Sequence, residues 1–171
     1  MSHGHRRPLL VLIAMLVLLA GSYGLLQATA HEDREIAGRY DFVVGFLVEP
    51  AFAGERNGMS LDISTIEPAE GSDSPFFFEG AEQTLSVTVG YGDQTMPLAL
   101  EPVSGEPGLY RAVFFPTLPG DYSFRLTGTL GDTTIDETFT SADGDFDAVR
   151  DPAPLRFPRT AGTPAPSTPV P

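Results

Sequence analysis

The sequence contains no cysteine, no lysine and no tryptophan. Without cysteine the chain can form no disulfide, zinc–thiolate site, iron–sulfur cluster or thiol nucleophile. Without lysine, all ten basic residues are arginines, and they are scattered among 23 acidic residues in a chain of 171 with a net charge of -13. Because so negative a chain repels a phosphate backbone, we expect no nucleic-acid partner.

The N-terminus has the pattern of an export signal. Arg6 and Arg7 precede an uncharged stretch, residues 8–30, that opens with LLVLIAMLVLLA and ends with Ala28-Thr29-Ala30. A basic start, an apolar run of this length and small residues before a cleavage point predict a signal peptide over residues 1–30. The alternative is an uncleaved membrane anchor, since the stretch is long enough to span a bilayer. Either reading places the remainder outside the cytoplasm, as a periplasmic, secreted or cell-surface protein.

Cleavage after Ala30 would leave His31 as the first residue and as the one histidine of the mature chain, since His3 and His5 lie in the leader. Removal of Arg6 and Arg7 leaves eight arginines against the same 23 acids, a net charge of -15. The exported part is therefore more acidic than the whole chain.

Residues 39–142 read as an all-β domain. Short runs of alternating apolar and polar residues, rich in Val, Thr, Phe and Tyr, are separated by glycine and proline turn signals. We count seven strands in about 100 residues, which predicts an antiparallel β-sandwich of the immunoglobulin-like type. Gly131-Asp132 predicts a tight hairpin, and Glu137, at an apolar position of the strand that follows, predicts an edge strand.

Tyr122 directly follows a Pro-Gly turn at the start of a predicted strand. This placement is typical of a tyrosine corner, in which the hydroxyl bonds back to main chain a few residues upstream. The alternative is an ordinary buried strand residue.

Three segments lie outside the strand pattern. Residues 31–38 form a predicted N-terminal arm. Residues 66–82 hold five acids around Phe76-Phe77-Phe78, which predicts a loop with an apolar plug or a crossover between sheets. Residues 143–171 are predicted to form an acidic turn and then a disordered tail, because seven prolines fall between residues 150 and 171.

His31 is the strongest candidate site. A terminal histidine offers an α-amino group and an imidazole, two nitrogen ligands that suit Cu(II), and Glu32 and Asp33 add carboxylate oxygens. The alternative is a solvated terminus that binds no metal. Met59 and Met96 have sulfur ligands for Cu(I), although their parity favours the core.

Asp143, Asp145 and Asp147 are spaced like the first ligands of an EF-hand loop. The later positions depart from that motif, since the sixth is Ala148 and the twelfth is Pro154. A looser calcium site and a solvated acidic turn both remain open.

Catalysis has little support in the composition. The usual nucleophile and base pairs are missing, and nothing distinguishes one carboxylate pair among 23 acids. We therefore expect a non-enzymatic module outside the cytoplasm that handles copper through His31. The alternatives are an envelope protein-interaction or structural module without a metal and, third, a small hydrolase. The expected partner is another protein of the cell envelope, with contact to the membrane only through an uncleaved N-terminal segment.

Several short segments resemble a known family. They are GRYDFVVGF at 38–46, Glu49-Pro50, GERNG at 54–58, GLYR at 108–111 and PTLPGDY at 116–122. In these the region 38–140 resembles bacterial secreted immunoglobulin-like domains of the YtkA-like and CopC-like copper-resistance type. The resemblance implies an envelope β-sandwich, in some members of which copper binds a mature N-terminal histidine, the position of His31. The late Asp-x-His pair of the CopC-like domain has no counterpart, since no histidine follows His31.

Overall fold

The computed structural model describes residues 31–68, 71 and 75–158. The predicted leader, residues 1–30, and the end of the predicted tail, residues 159–171, lie outside them. The described residues form an all-β structure with two short 3-10 helices, Ala81–Gln83 and Ala153–Leu155. No helix within these ranges is long and apolar enough to cross a membrane.

Ten strands are present in the described residues, and all pair antiparallel. They are β1 His31–Ile36, β2 Tyr40–Phe46, β3 Asn57–Pro68, β4 Pro75–Phe77, β5 Leu85–Tyr91, β6 Gln94–Leu98, β7 Glu101–Pro102, β8 Leu109–Phe114, β9 Ser123–Leu130 and β10 Thr133–Thr140. The predicted count of seven is therefore too low. The three unpredicted strands, β1, β4 and β7, are short or polar and carry no apolar alternation of their own.

The strands form two sheets. The first has the order β1-β2-β3-β8-β7, with β4 paired to the far end of β3, and the second has the order β10-β9-β5-β6. The predicted hairpin between β9 and β10 is confirmed, with Gly131 at φ 58°, where glycine is favoured over other residues. The prediction that β10 lies at an edge is also confirmed.

The two sheets share one core. Alternate residues of β2, β3, β5, β8 and β9 are buried, as their parity predicted. Phe46 of the first sheet lies 5.5 Å, centroid to centroid, from Phe124 of the second. Because each fully buried side chain of this size contributes about 1.5–3 kcal/mol, this shared core holds the sheets together.

The core extends beyond β10. Phe146 and Val149 are buried, and the Phe146 ring packs 5.3 Å from that of Phe46. Both residues fall in the segment predicted to be an acidic turn and tail. Three aspartates surround Phe146 in the sequence, so the composition of this stretch predicts an exposed acidic turn and gives no sign that its one aromatic residue belongs to the core.

The segment predicted as a plugged loop is partly sheet. Strand β3 continues to Pro68, and β4 folds back so that Phe77 lies opposite Ser64. Only the last of the three phenylalanines acts as a plug, since Phe78 packs edge-on against Tyr40 at 5.7 Å while Phe76 and Phe77 are exposed.

Candidate functional site: an apolar groove beside Tyr122

The predicted metal ligands lie at the start of β1. His31 is paired in register with Gly45 of β2, and Glu32 with Val44; only the main chain of these two residues is described. Asp33 is exposed, and its carboxyl shares a hydrogen bond with that of Asp41. Among side chains within the described ranges, no three His, Cys, Asp or Glu are arranged to hold a metal ion.

The outer face of the first sheet is acidic. Asp33 and Asp62 both lie opposite Val43, and Glu35 lies opposite Asp41, so the register places all four carboxyls on one face. Desolvation, the hydrogen bond that protonated Asp41 donates to Asp33 and the charges of the neighbouring acids raise the pKa of Asp41 to about 6. Burial likewise raises the pKa of Asp62. This face can therefore take up a proton at mildly acidic pH.

The Asp143–Asp147 turn uses its carboxylates inside the protein. Asp145 Oδ2 accepts hydrogen bonds from the Thr140 main-chain N–H at 2.7 Å and from Arg34 Nη2 at 3.1 Å. Asp147 Oδ2 accepts one from Arg150 at 2.8 Å. Two of the three carboxylates proposed for calcium thus have arginine partners.

Tyr122 forms the predicted corner. Its hydroxyl donates to the Leu118 carbonyl at 3.0 Å, and its ring lies 4.8 Å from Tyr91 and 6.0 Å from Phe114. Desolvation raises the pKa of this hydroxyl. Tyr122 thereby fixes the segment between β8 and β9 against the end of β5.

An apolar groove of about 290 Å³ opens beside Tyr122. The β5–β6 hairpin supplies Tyr91 and Met96, and the segment between β8 and β9 supplies Phe115 and Leu118. Tyr91 ties the two walls together, because its hydroxyl donates to the Pro119 carbonyl at 3.1 Å. The groove is therefore a preformed feature held by hydrogen bonds and ring contacts.

The groove exposes large apolar side chains in a concave surface. Met96 is 48% exposed, Phe115 59% and Leu118 50%, three of the nine large apolar side chains exposed in the described part of the chain. None of the residues that line the groove is charged. Such a surface suits the binding of an apolar ligand or peptide.

A second cavity of about 510 Å³ lies at a different surface, between the segments 79–83 and 102–110. Glu79, Glu82 and Glu106 line it, and the Tyr110 hydroxyl beneath it donates to the Phe78 carbonyl at 2.7 Å. Because acidic residues line this cavity, it would suit a basic ligand, whereas the groove would suit an apolar one.

Sequence reasoning missed the groove. Met96 was expected in the core, and it does lie opposite the buried Val89; however, β6 is an edge strand, so the side chain remains half exposed. Phe115 and Leu118 follow β8 in a proline-rich turn, and their local sequence, FFPTLPG, is the one available signal. The meeting of this turn with the β5–β6 hairpin depends on sheet topology and is not visible in the sequence.

Comparison of the chain with protein-family models, with curated protein sequences and with solved structures finds no match.

Proposed function

We propose that this protein is a non-enzymatic, immunoglobulin-like module outside the cytoplasm that binds a partner protein of the cell envelope through the apolar groove. The groove carries the proposal, since it concentrates exposed Met96, Phe115 and Leu118 in one preformed concavity. Exposed aromatic and thioether side chains in such a setting are typical of protein-interaction sites.

The order of strands supports the immunoglobulin-like assignment. The path β2-β3-β8-β7 matches the A-B-E-D sheet of that fold, and β6-β5-β9-β10 matches C′-C-F-G. In this alignment Tyr122 stands at the entry to strand F, the position of the tyrosine corner. The export signal predicted for residues 1–30 supports a location outside the cytoplasm.

Site-specific photo-cross-linking in the cells that make the protein tests the groove. A photoreactive phenylalanine analogue at position 115 should give an adduct of defined mass, and Leu118→Ser in the same chain should lower its yield several-fold. The matched control carries the analogue at Phe76, which is 53% exposed at the opposite end of β3. Equal adduct yields at both positions, or a yield insensitive to Leu118→Ser, would refute a specific groove partner.

Copper binding at His31 is the second candidate. It is favoured by the resemblance to copper-resistance domains and by the place of His31 at the start of β1, paired with Gly45. Cu(II) should bind residues 31–171 more tightly than the His31→Ala variant, as measured by calorimetric titration. A chain with one alanine added before His31 keeps the imidazole but displaces the α-amino group. Equal affinities for all three chains would remove this candidate.

A further inference from the structure

We infer that the occupant of the apolar groove is the chain's own C-terminal segment, residues 159–171. This inference rests on the proposed function, because it takes the groove to be a binding surface. It adds that residues 159–171 fill the groove until a partner protein displaces them.

The composition of the segment fits the groove. Its 13 residues include Pro164, Pro166, Pro169 and Pro171, separated by small or β-branched residues. Such a sequence favours the polyproline II conformation, which carries little ordering entropy and docks in grooves lined by aromatic side chains. The groove presents Tyr91, Phe115 and Tyr122.

The groove itself is uncharged, but the charge of the surrounding domain favours the approach of this end of the chain. All 23 acidic residues lie between Glu32 and Asp151, where only six arginines accompany them, a net charge of -17 for residues 31–151. After Asp151 the chain has two arginines, Arg156 and Arg159, and no acidic side chain. The domain therefore attracts this end of the chain over a distance of about a Debye length.

The described chain leaves the core next to the groove. Val149 and Gly120 exchange two main-chain hydrogen bonds, of 2.9 and 3.0 Å, and a Cβ placed on Gly120 would lie 3.4 Å from the Tyr91 hydroxyl. Pro158 follows Arg150 by eight residues, which span at most about 29 Å, whereas residues 159–171 span about 40 Å as polyproline II, so the segment is long enough to reach back to the groove. A tether of this length gives a local concentration of about millimolar, so even weak affinity fills the site.

A single tryptophan provides the test, since the chain has none. Phe115→Trp is placed in the chain 31–171 and in a chain that ends at Pro158; both retain every described contact. Acrylamide should quench the tryptophan about twofold less in the longer chain, because the segment covers it. A synthetic peptide of residues 159–171 should restore protection to the shorter chain, and the same peptide with its four prolines changed to alanine should not.

Phe76→Trp in both lengths is the matched control and should show no effect of truncation. The Met96 methyl shift in the NMR spectrum gives a second measurement that needs no substitution and should also change with truncation. Equal quenching of Trp at position 115, with an unchanged Met96 shift, would overturn the inference. Protection that grows with protein concentration, together with a dimer in sedimentation, would assign the groove to a second copy and overturn it as well.

Cross-linking at position 115 in the chain that ends at Pro158 separates this failure from that of the proposed function. Suppose that the partner adduct persists in that chain and that truncation leaves the acrylamide quenching of Trp at position 115 unchanged. The groove then binds a partner, and residues 159–171 do not occupy it.

Discussion

The side chain of Asn57 holds the loop after β2 against the start of β3. Its Oδ1 accepts hydrogen bonds from Val48 N–H at 3.0 Å and Gly58 N–H at 2.9 Å, and its Nδ2 donates to the Val48 carbonyl at 2.8 Å. The side chain is buried, so water cannot replace a lost partner. In the sequence Asn57 stands out only as part of the segment GERNG at 54–58, whereas the structure shows both its amide oxygen and its amide nitrogen hydrogen-bonded.

We predict that Asn57→Ala lowers the free energy of unfolding by about 2–3 kcal/mol, because it leaves buried main-chain groups without partners. Urea denaturation followed by circular dichroism measures the loss. Asn57→Asp keeps the acceptor but removes the donor to Val48, so it should also destabilise. A loss below about 0.5 kcal/mol for Asn57→Ala would mean that the loop rearranges to satisfy these groups.

The turn between β1 and β2 contains one residue poorly suited to its conformation. Ala37 has φ 54° and Gly38 has φ 64°, the left-handed pair that two-residue hairpins fill best with Asn-Gly. We predict that Ala37→Asn raises the free energy of unfolding by about 0.5–1 kcal/mol, since asparagine tolerates this region better than alanine. Thermal denaturation measures the gain. The control Gly38→Ala should lower the melting temperature; a gain in both variants would contradict the argument.

At the scale of elements, Arg34 joins the two sheets where their edges meet. From β1 its Nη1 donates to the Thr138 carbonyl of β10 at 3.0 Å, and its Nη2 donates to Asp145 at 3.1 Å. Its guanidinium also lies 4.1 Å from the Phe139 ring centroid, and Glu137 adds an ion pair at 3.6 Å. The guanidinium thus neutralises Glu137, the residue from which an edge strand was predicted for β10. It also connects β1 to the second sheet.

A double-mutant cycle between Arg34→Ala and Asp145→Asn should give a coupling energy of about 1–2 kcal/mol, because the pair is partly buried and both groups make further hydrogen bonds. Urea denaturation of the four proteins supplies the values. The exposed pair Arg125 and Asp136 is the control and should couple more weakly, because solvent screens it. Equal coupling for the two pairs would show that Arg34 does not connect the sheets as described.

The predictable elements are those whose burial pattern repeats along the chain. In β2, Tyr40, Phe42, Val44 and Phe46 alternate with less apolar residues, and all four are buried. Strand β1 could not be found in this way, since Ile36 is the one apolar residue among the inward-facing positions of HEDREI, and Arg34 at the same parity pairs across the sheets. The groove was equally hidden, because it forms where the β5–β6 hairpin meets the loop after β8, which is distant in the sequence. Tyr122 was predictable because its motif is local.

At the scale of the whole molecule, the arrangement of charge matters more than the total of -13. Burial and the surrounding acids raise the pKa of Asp41 from 3.8 to about 6. The folded state therefore holds this proton more tightly than the unfolded chain. By linkage, the contribution of Asp41 is most favourable below about pH 4 and is lost as the pH rises through about 6. The pKa of Asp132 shifts in the opposite direction, because a hydrogen bond from Arg39 lowers it below 3.8. The contribution of Asp132 to stability is therefore lost as the pH falls.

We predict that Asp41→Asn is more stable than the parent chain at pH 7.5, by about 1 kcal/mol once solvent screening is allowed for. The difference should shrink as the pH falls through about 6 and vanish below about pH 4, where the parent carboxyl is protonated in both the folded and the unfolded state. Urea denaturation across this range at low salt measures it, and added NaCl should reduce the difference by screening the neighbouring acids. Asp132→Asn is the control and should lower stability at neutral pH without changing the slope between pH 4.5 and 7.5. A pH-independent gain for Asp41→Asn would mean that the gain comes from packing and that the acidic face does not bind a proton in this range.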